Sequence, residues 1–163
     1  MSESESLKDF KQGLAALRYG CPRTGVAHLR KAIEHDRANP FYLSYYGLAL
    51  GRAENDWATA EDLCYTAVLM RRNQPDLYLN LAEVYRRTKK LEDAVWILTN
   101  GLQFTKRDSR LVRALEKLGV RRPPVLSFLD RKHFLNRQLG KLRHRLEGQG
   151  KVSASESLRM TGS

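Results

Sequence analysis

The sequence predicts an all-α, right-handed helical-repeat solenoid. Three observations carry that expectation. A stripe of alternating large and small residues recurs every 34 or 35 positions, a second stripe ahead of it recurs every 34, and a proline opens two of the resulting units. A fixed period of this length marks stacked supersecondary units that bury a core only against their neighbours. With only 11 Gly and 5 Pro in 163 residues, a turn-rich all-β chain is disfavoured.

The later stripe reads Pro22, Gly25, Leu29, Ala32, then Trp57, Ala60, Cys64, Ala67, then Leu91, Ala94, Leu98, Gly101. Spacings of three and four place each set on one face of a helix. The small members let two helix axes approach closely. The earlier stripe reads Gly13-Leu14-Ala15 with Arg18, Gly47-Leu48-Ala49 with Arg52, and Leu81-Ala82-Glu83 with Arg86. The single-residue difference between the two periods falls in the first inter-helix turn, Gly20-Cys21-Pro22, because turns absorb length changes that helices do not. Asn39-Pro40 and Gln74-Pro75 open the second and third units, since proline suits the first turn of a helix.

The expected organisation is a disordered N-terminus over 1–4, repeats over 5–38, 39–73 and 74–107, and a capping helix over 108–120. Asp108 or Ser109 starts that last helix and Gly119 follows its end. A basic segment over 121–147 and a disordered tail over 148–163 complete the chain. Arg121-Arg122-Pro123-Pro124 breaks the capping helix, and Leu135, Leu139, Leu142 and Leu146 restart a helical stripe that predicts a basic amphipathic tail helix.

The third unit, with Tyr78, Leu81, Ala82, Tyr85, Ala94 and Leu98, resembles a tetratricopeptide repeat. In the second, Ser44 stands where that family usually has a large aromatic residue and Gly51 where it usually has tyrosine. No unit has the family's proline closing its second helix. The resemblance covers roughly residues 5–105 and implies a scaffold for protein–protein interaction, with the first helix of each pair lining a concave groove. Carried over by position, the groove is lined by Lys11, Arg18, Tyr42, Tyr45, Arg52, Leu79, Glu83, Arg86 and Arg87, with Lys8, Ala15, Tyr19, Ala49 and Asp76 beside them. Arg18, Arg52 and Arg86 are expected to stack as a ladder, one per unit. Arginine and tyrosine are the side chains in which binding energy concentrates, so the expected ligand is a protein or peptide bearing carboxylates or aromatics. The opposing expectation is that these arginines merely pair with nearby acids on a solvated face. Repeat domains that grip the C-terminal carboxylate of heat-shock chaperones use a five-residue cluster of Lys, Asn and Arg. Here Lys11 matches it, while Ala15, Tyr46, Asp76 and Asn80 fill the other positions. The small chaperones of type III secretion share the layout but are usually acidic.

Nothing in the sequence points to catalysis, a small-molecule substrate, a cofactor or a metal. His28, His35, His133 and His144 share no ligand spacing with each other or with cysteine, and Cys64 sits on a core stripe, where an inert buried thiol is expected. There is no phosphate loop, dinucleotide fingerprint or nucleophile elbow. Two cysteines are too few for a disulfide framework and no secretory signal is visible, so a cytoplasmic setting is expected.

The net charge of +11 is unevenly placed. Residues 1–102 hold 14 Lys/Arg against 13 Asp/Glu, whereas 103–151 hold 14 against 4, a balance of +10. In the basic third, Arg121, Arg122, Arg131, Lys132, Arg137, Lys141, Arg143 and Arg145 are candidates for contact with a partner, an anionic membrane or nucleic acid. The competing expectation is a helix whose leucines cover the last repeat while its cations face water.

Overall fold

The structure, a computed structural model, describes residues 4–120. Among them are seven helices and no strand: α1 (Glu5–Arg18), α2 (Pro22–His35), α3 (Pro40–Glu54), α4 (Trp57–Met70), α5 (Pro75–Arg87), α6 (Leu91–Phe104) and α7 (Ser109–Lys117). Residues 1–3 of the expected N-terminal segment 1–4, and the whole of 121–163 with all eight candidate residues of the basic third, lie outside the described residues.

Local chemistry sets the helix ends. The Asn39 side chain accepts from the amides of Phe41 and Tyr42 ahead of Pro40, Asp56 accepts from Thr59, and Asp108 accepts from Arg110. Each satisfies an amide that has no partner within the helix. Four helices close alike, with an amide reaching back five residues to a carbonyl: Cys21 to Ala16, Lys90 to Tyr85, Arg107 to Leu102 and Val120 to Leu115. That closure needs a left-handed residue just before the donor. Gly20 (φ 75°) and Gly119 (φ 86°) supply it without strain, while Lys89 (φ 60°) holds the same place after α5. Lys89→Gly is therefore expected to raise stability by about 0.5 kcal/mol, read as a shift in urea midpoint at unchanged slope.

Consecutive helices pack as antiparallel pairs that stack along the chain. The stripe read from the sequence is the core: Ala60 and Ala94 are both 0% exposed, as are Ala32 and Ala67 at the next equivalent site. The departures of the second unit are compensated within the fold. A Cβ on Gly51 would lie 2.4 Å from Cε3 of Trp57, so the indole fills the volume that the Tyr85 ring fills one unit later. Leu91, the counterpart of Trp57, is left 54% exposed. Ser44, in the aromatic site, is buried in a polar chain instead. The Asn80 amide donates to its hydroxyl at 3.0 Å, and the Cys64 thiol donates to its carbonyl at 3.2 Å.

The period continues past the third pair. Leu111 and Leu115 of α7 follow Leu77 and Leu81 of α5 by 34 residues, and all four are fully buried. The last helix packs on α5 and α6, so it occupies the place of a first helix in a fourth unit.

Candidate binding groove

The first helices of the units, α1, α3 and α5, together with α7, carry equivalent columns of side chains 34 residues apart. These are Lys8, Tyr42, Asp76, Arg110; Lys11, Tyr45, Leu79, Arg113; Ala15, Ala49, Glu83, Lys117; and Arg18, Arg52, Arg86. The columns hold eight cations, all exposed, against two anions, Asp76 and Glu83.

The centre of this face is Tyr45, half-buried on α3. Burial raises its phenol pKa and Asp76 raises it further, while a hydrogen bond from Asn80 and the positive charges of Arg18 and Arg110 pull it down. The Tyr45 ring also packs against the core cluster of Leu17, Val26, Leu29, Ala49 and Leu50, and the Phe10 ring centroid is 5.6 Å away in an edge-on arrangement.

The arginines expected to form a ladder are, in the second and third units, more tied down than the sequence suggests. Glu83 lies among three guanidinium groups: Arg86 donates through Nε at 2.8 Å and Nη2 at 2.9 Å, Arg87 donates through Nε at 3.0 Å, and Arg52 approaches to 3.8 Å. Burial works to raise the Glu83 pKa, but the hydrogen bonds and charges of Arg86 and Arg87 outweigh it and hold the group below its ordinary 4.5. A carboxylate with a depressed folded-state pKa stabilises fully above its unfolded value and loses that contribution as pH falls. Glu83→Gln is accordingly expected to flatten the acid side of the stability–pH profile below about pH 4.5, checked by chemical denaturation at a series of pH values. Arg18, in contrast, is exposed and makes no ion pair among the described residues.

Of the remaining expected lining residues, Lys11 is exposed and Leu79 is half-buried against the larger core cluster. Tyr42 is not on the lining: it is 6% exposed, with its ring 4.8 Å from that of Phe10. The aromatic of the first unit reaches forward onto α3 and covers it. Arg110 was not among the expected residues, yet it bridges Asp76 at 3.0 Å and Asp108 at 3.1 Å. The signal that could have found it is the 34-residue step from Asp76. Burial pushes the Cys64 thiol up to about 12, consistent with an inert core group. Among the described residues no group of His, Cys, Asp and Glu is placed to hold a metal, and His28 instead hydrogen-bonds Asp9 at 3.0 Å. No helix among them is long and apolar enough to cross a membrane.

No protein-family model matches the sequence, and no curated protein matches it. Solved structures match the fold. The first tetratricopeptide domain of Spaghetti (RPAP3) bound to the HSP90 peptide SRMEEVD superposes with a TM-score of 0.60 at 20% identity, over 73% of this chain and 96% of that one. The Arabidopsis OM64 domain gives 0.59 at 19%, over 70% and 93%. The TPR2B domain of yeast Sti1 in its pHsp70 complex gives 0.60 at 14%, over 72% and 98%. These neighbours, the seven-helix order and the continuous 34-residue register agree on one conclusion: the chain has the tetratricopeptide-repeat fold, in about three repeats.

Proposed function

We propose that this protein is an interaction module, without catalytic activity of its own, that holds a segment of a partner protein in the groove formed by α1, α3, α5 and α7. The single observation that carries the reading is the set of side-chain columns recurring every 34 residues on these four helices, with exposed cations around the half-buried Tyr45 and Leu79. A curved wall of stacked helices supplies shape, and exposed cations supply selection by charge. The HSP90 peptide bound by one structural neighbour and the pHsp70 complex of another support a peptide ligand. Terminal-carboxylate specificity of that kind is not assigned to this groove. Asn80 is 7% exposed and committed to Ser44, and Asp76 adds a carboxylate where a cation would be needed. The setting proposed is the cytoplasm.

The test is the double substitution Arg52→Glu, Arg86→Glu, measured against a partner captured by the full-length protein. Affinity should fall at least about tenfold, or 1.4 kcal/mol, at unchanged far-UV circular dichroism. Unchanged affinity in a folded variant removes the groove from the reading.

The +10 balance of residues 103–151 favours one alternative, binding to nucleic acid or an acidic membrane through the basic third. It requires retention on heparin that weakens steeply with salt and is abolished by deleting residues 123–163.

A further inference from the structure

The second and third units segregate charge, though the first does not. Their second helices α4 and α6 carry four acidic residues and no lysine or arginine, while α2 carries three cations, and the four groove columns hold eight cations and two acids. Eight of the cations among the described residues stand in these columns, three of them in a regular order. Arg18, Arg52 and Arg86 are one per unit, on helices that pack side by side. Packed helices lie about 8–10 Å apart. An extended chain in the polyproline II conformation advances about 3.1 Å per residue and returns to the same face every third residue, a step of about 9.3 Å. Helices at that general spacing would set successive rungs about one such step apart.

Resting on the groove reading above, we propose that the ligand is an internal acidic segment of a partner protein, bound in polyproline II conformation, with Asp or Glu at every third position facing successive arginines. A chain end is not required, because the groove lacks the cation cluster for a terminal carboxylate. Glu83 does not cancel the ladder: three guanidinium groups around one carboxylate leave a local surplus of two positive charges. Arg18 makes no ion pair among the described residues and is the open rung. Protein acids suit this surface better than a nucleic-acid backbone. Asp76 and Glu83 lie between the cations, tolerable for side chains presented at intervals but repulsive to a continuous phosphate chain.

Fluorescence anisotropy on the full chain tests this with acetylated and amidated twelve-residue peptides rich in proline. One has Glu at every third position, and an isomer of the same composition has its Glu residues clustered. A peptide with a free C-terminal carboxylate and single-stranded poly(U) RNA complete the set. The every-third peptide should bind at least tenfold tighter than its isomer, and Arg18→Gln with Arg52→Gln should erase that preference at an unchanged melting temperature. Equal binding of the two spacings, or no binding of either, overturns the inference. So does tighter binding of poly(U) or of the free-carboxylate peptide through the same arginines. In those last two cases the groove is still the binding surface. If no probe that binds responds to the arginine substitutions, the groove reading itself fails.

Discussion

Lys90→Met is expected to destabilise the protein by about 2–4 kcal/mol, lowering Tm by about 10 °C or more. Glu61 lies on α4 of the second unit with its side chain only 2% exposed, and the Lys90 ammonium, in the turn between α5 and α6, donates to it at 2.5 Å. The same ammonium stands 6.0 Å from the centre of the Tyr85 ring. Taking one partner from a buried ion pair leaves a charge poorly solvated, costing more than the pair itself contributes. The effect sits below the upper end of the usual range because the Lys90 side chain is 33% exposed and water can reach its place. Replacing both partners by apolar groups removes the stranded charge along with the attraction. Lys90→Met combined with Glu61→Leu should therefore be less destabilised than the sum of the two single variants, with a coupling of about 1 kcal/mol or more. Strict additivity in thermal and urea unfolding would show that the contact does not join the second unit to the third.

The second large effect runs against consensus reasoning. Gly51→Tyr restores the residue usual at this site of the repeat, yet it is expected to cost about 3 kcal/mol, the upper end of overpacking penalties. The Trp57 ring already occupies the volume, 2.4 Å from where even a Cβ would stand. The third unit shows the complementary solution, with Tyr85 fully buried and Leu91 largely exposed. Adding Trp57→Leu to Gly51→Tyr reproduces that pair and should recover most of the lost stability. A Gly51→Tyr variant as stable as the parent would mean that the indole moves aside freely. The exchange would then carry no weight.

How far the residues alone could be read follows from which forces are local. Pro40 and Pro75 opening helices, Asp108 capping α7 and Gly119 ending it all act through the backbone of their own few residues. The small and large residues on one face report packing that every unit repeats. Glu61 belongs to the other class. Nothing near it in sequence marks a carboxylate on α4 as buried, because its cation arrives from a turn 29 residues later.

The helical period and the pairing of helices were legible in the residues alone. Periodicity and turn chemistry are properties of short stretches, and three copies of one pattern leave few ways to stack. Which of the expected lining residues reach solvent was settled by contacts between helices. Phe10 covers Tyr42, Glu83 gathers arginines from two units, and Arg110 of α7 closes onto Asp76. Such contacts depend on distances between helices, to which ion pairs and ring packing respond within an ångström or two, and no spacing along the chain encodes them.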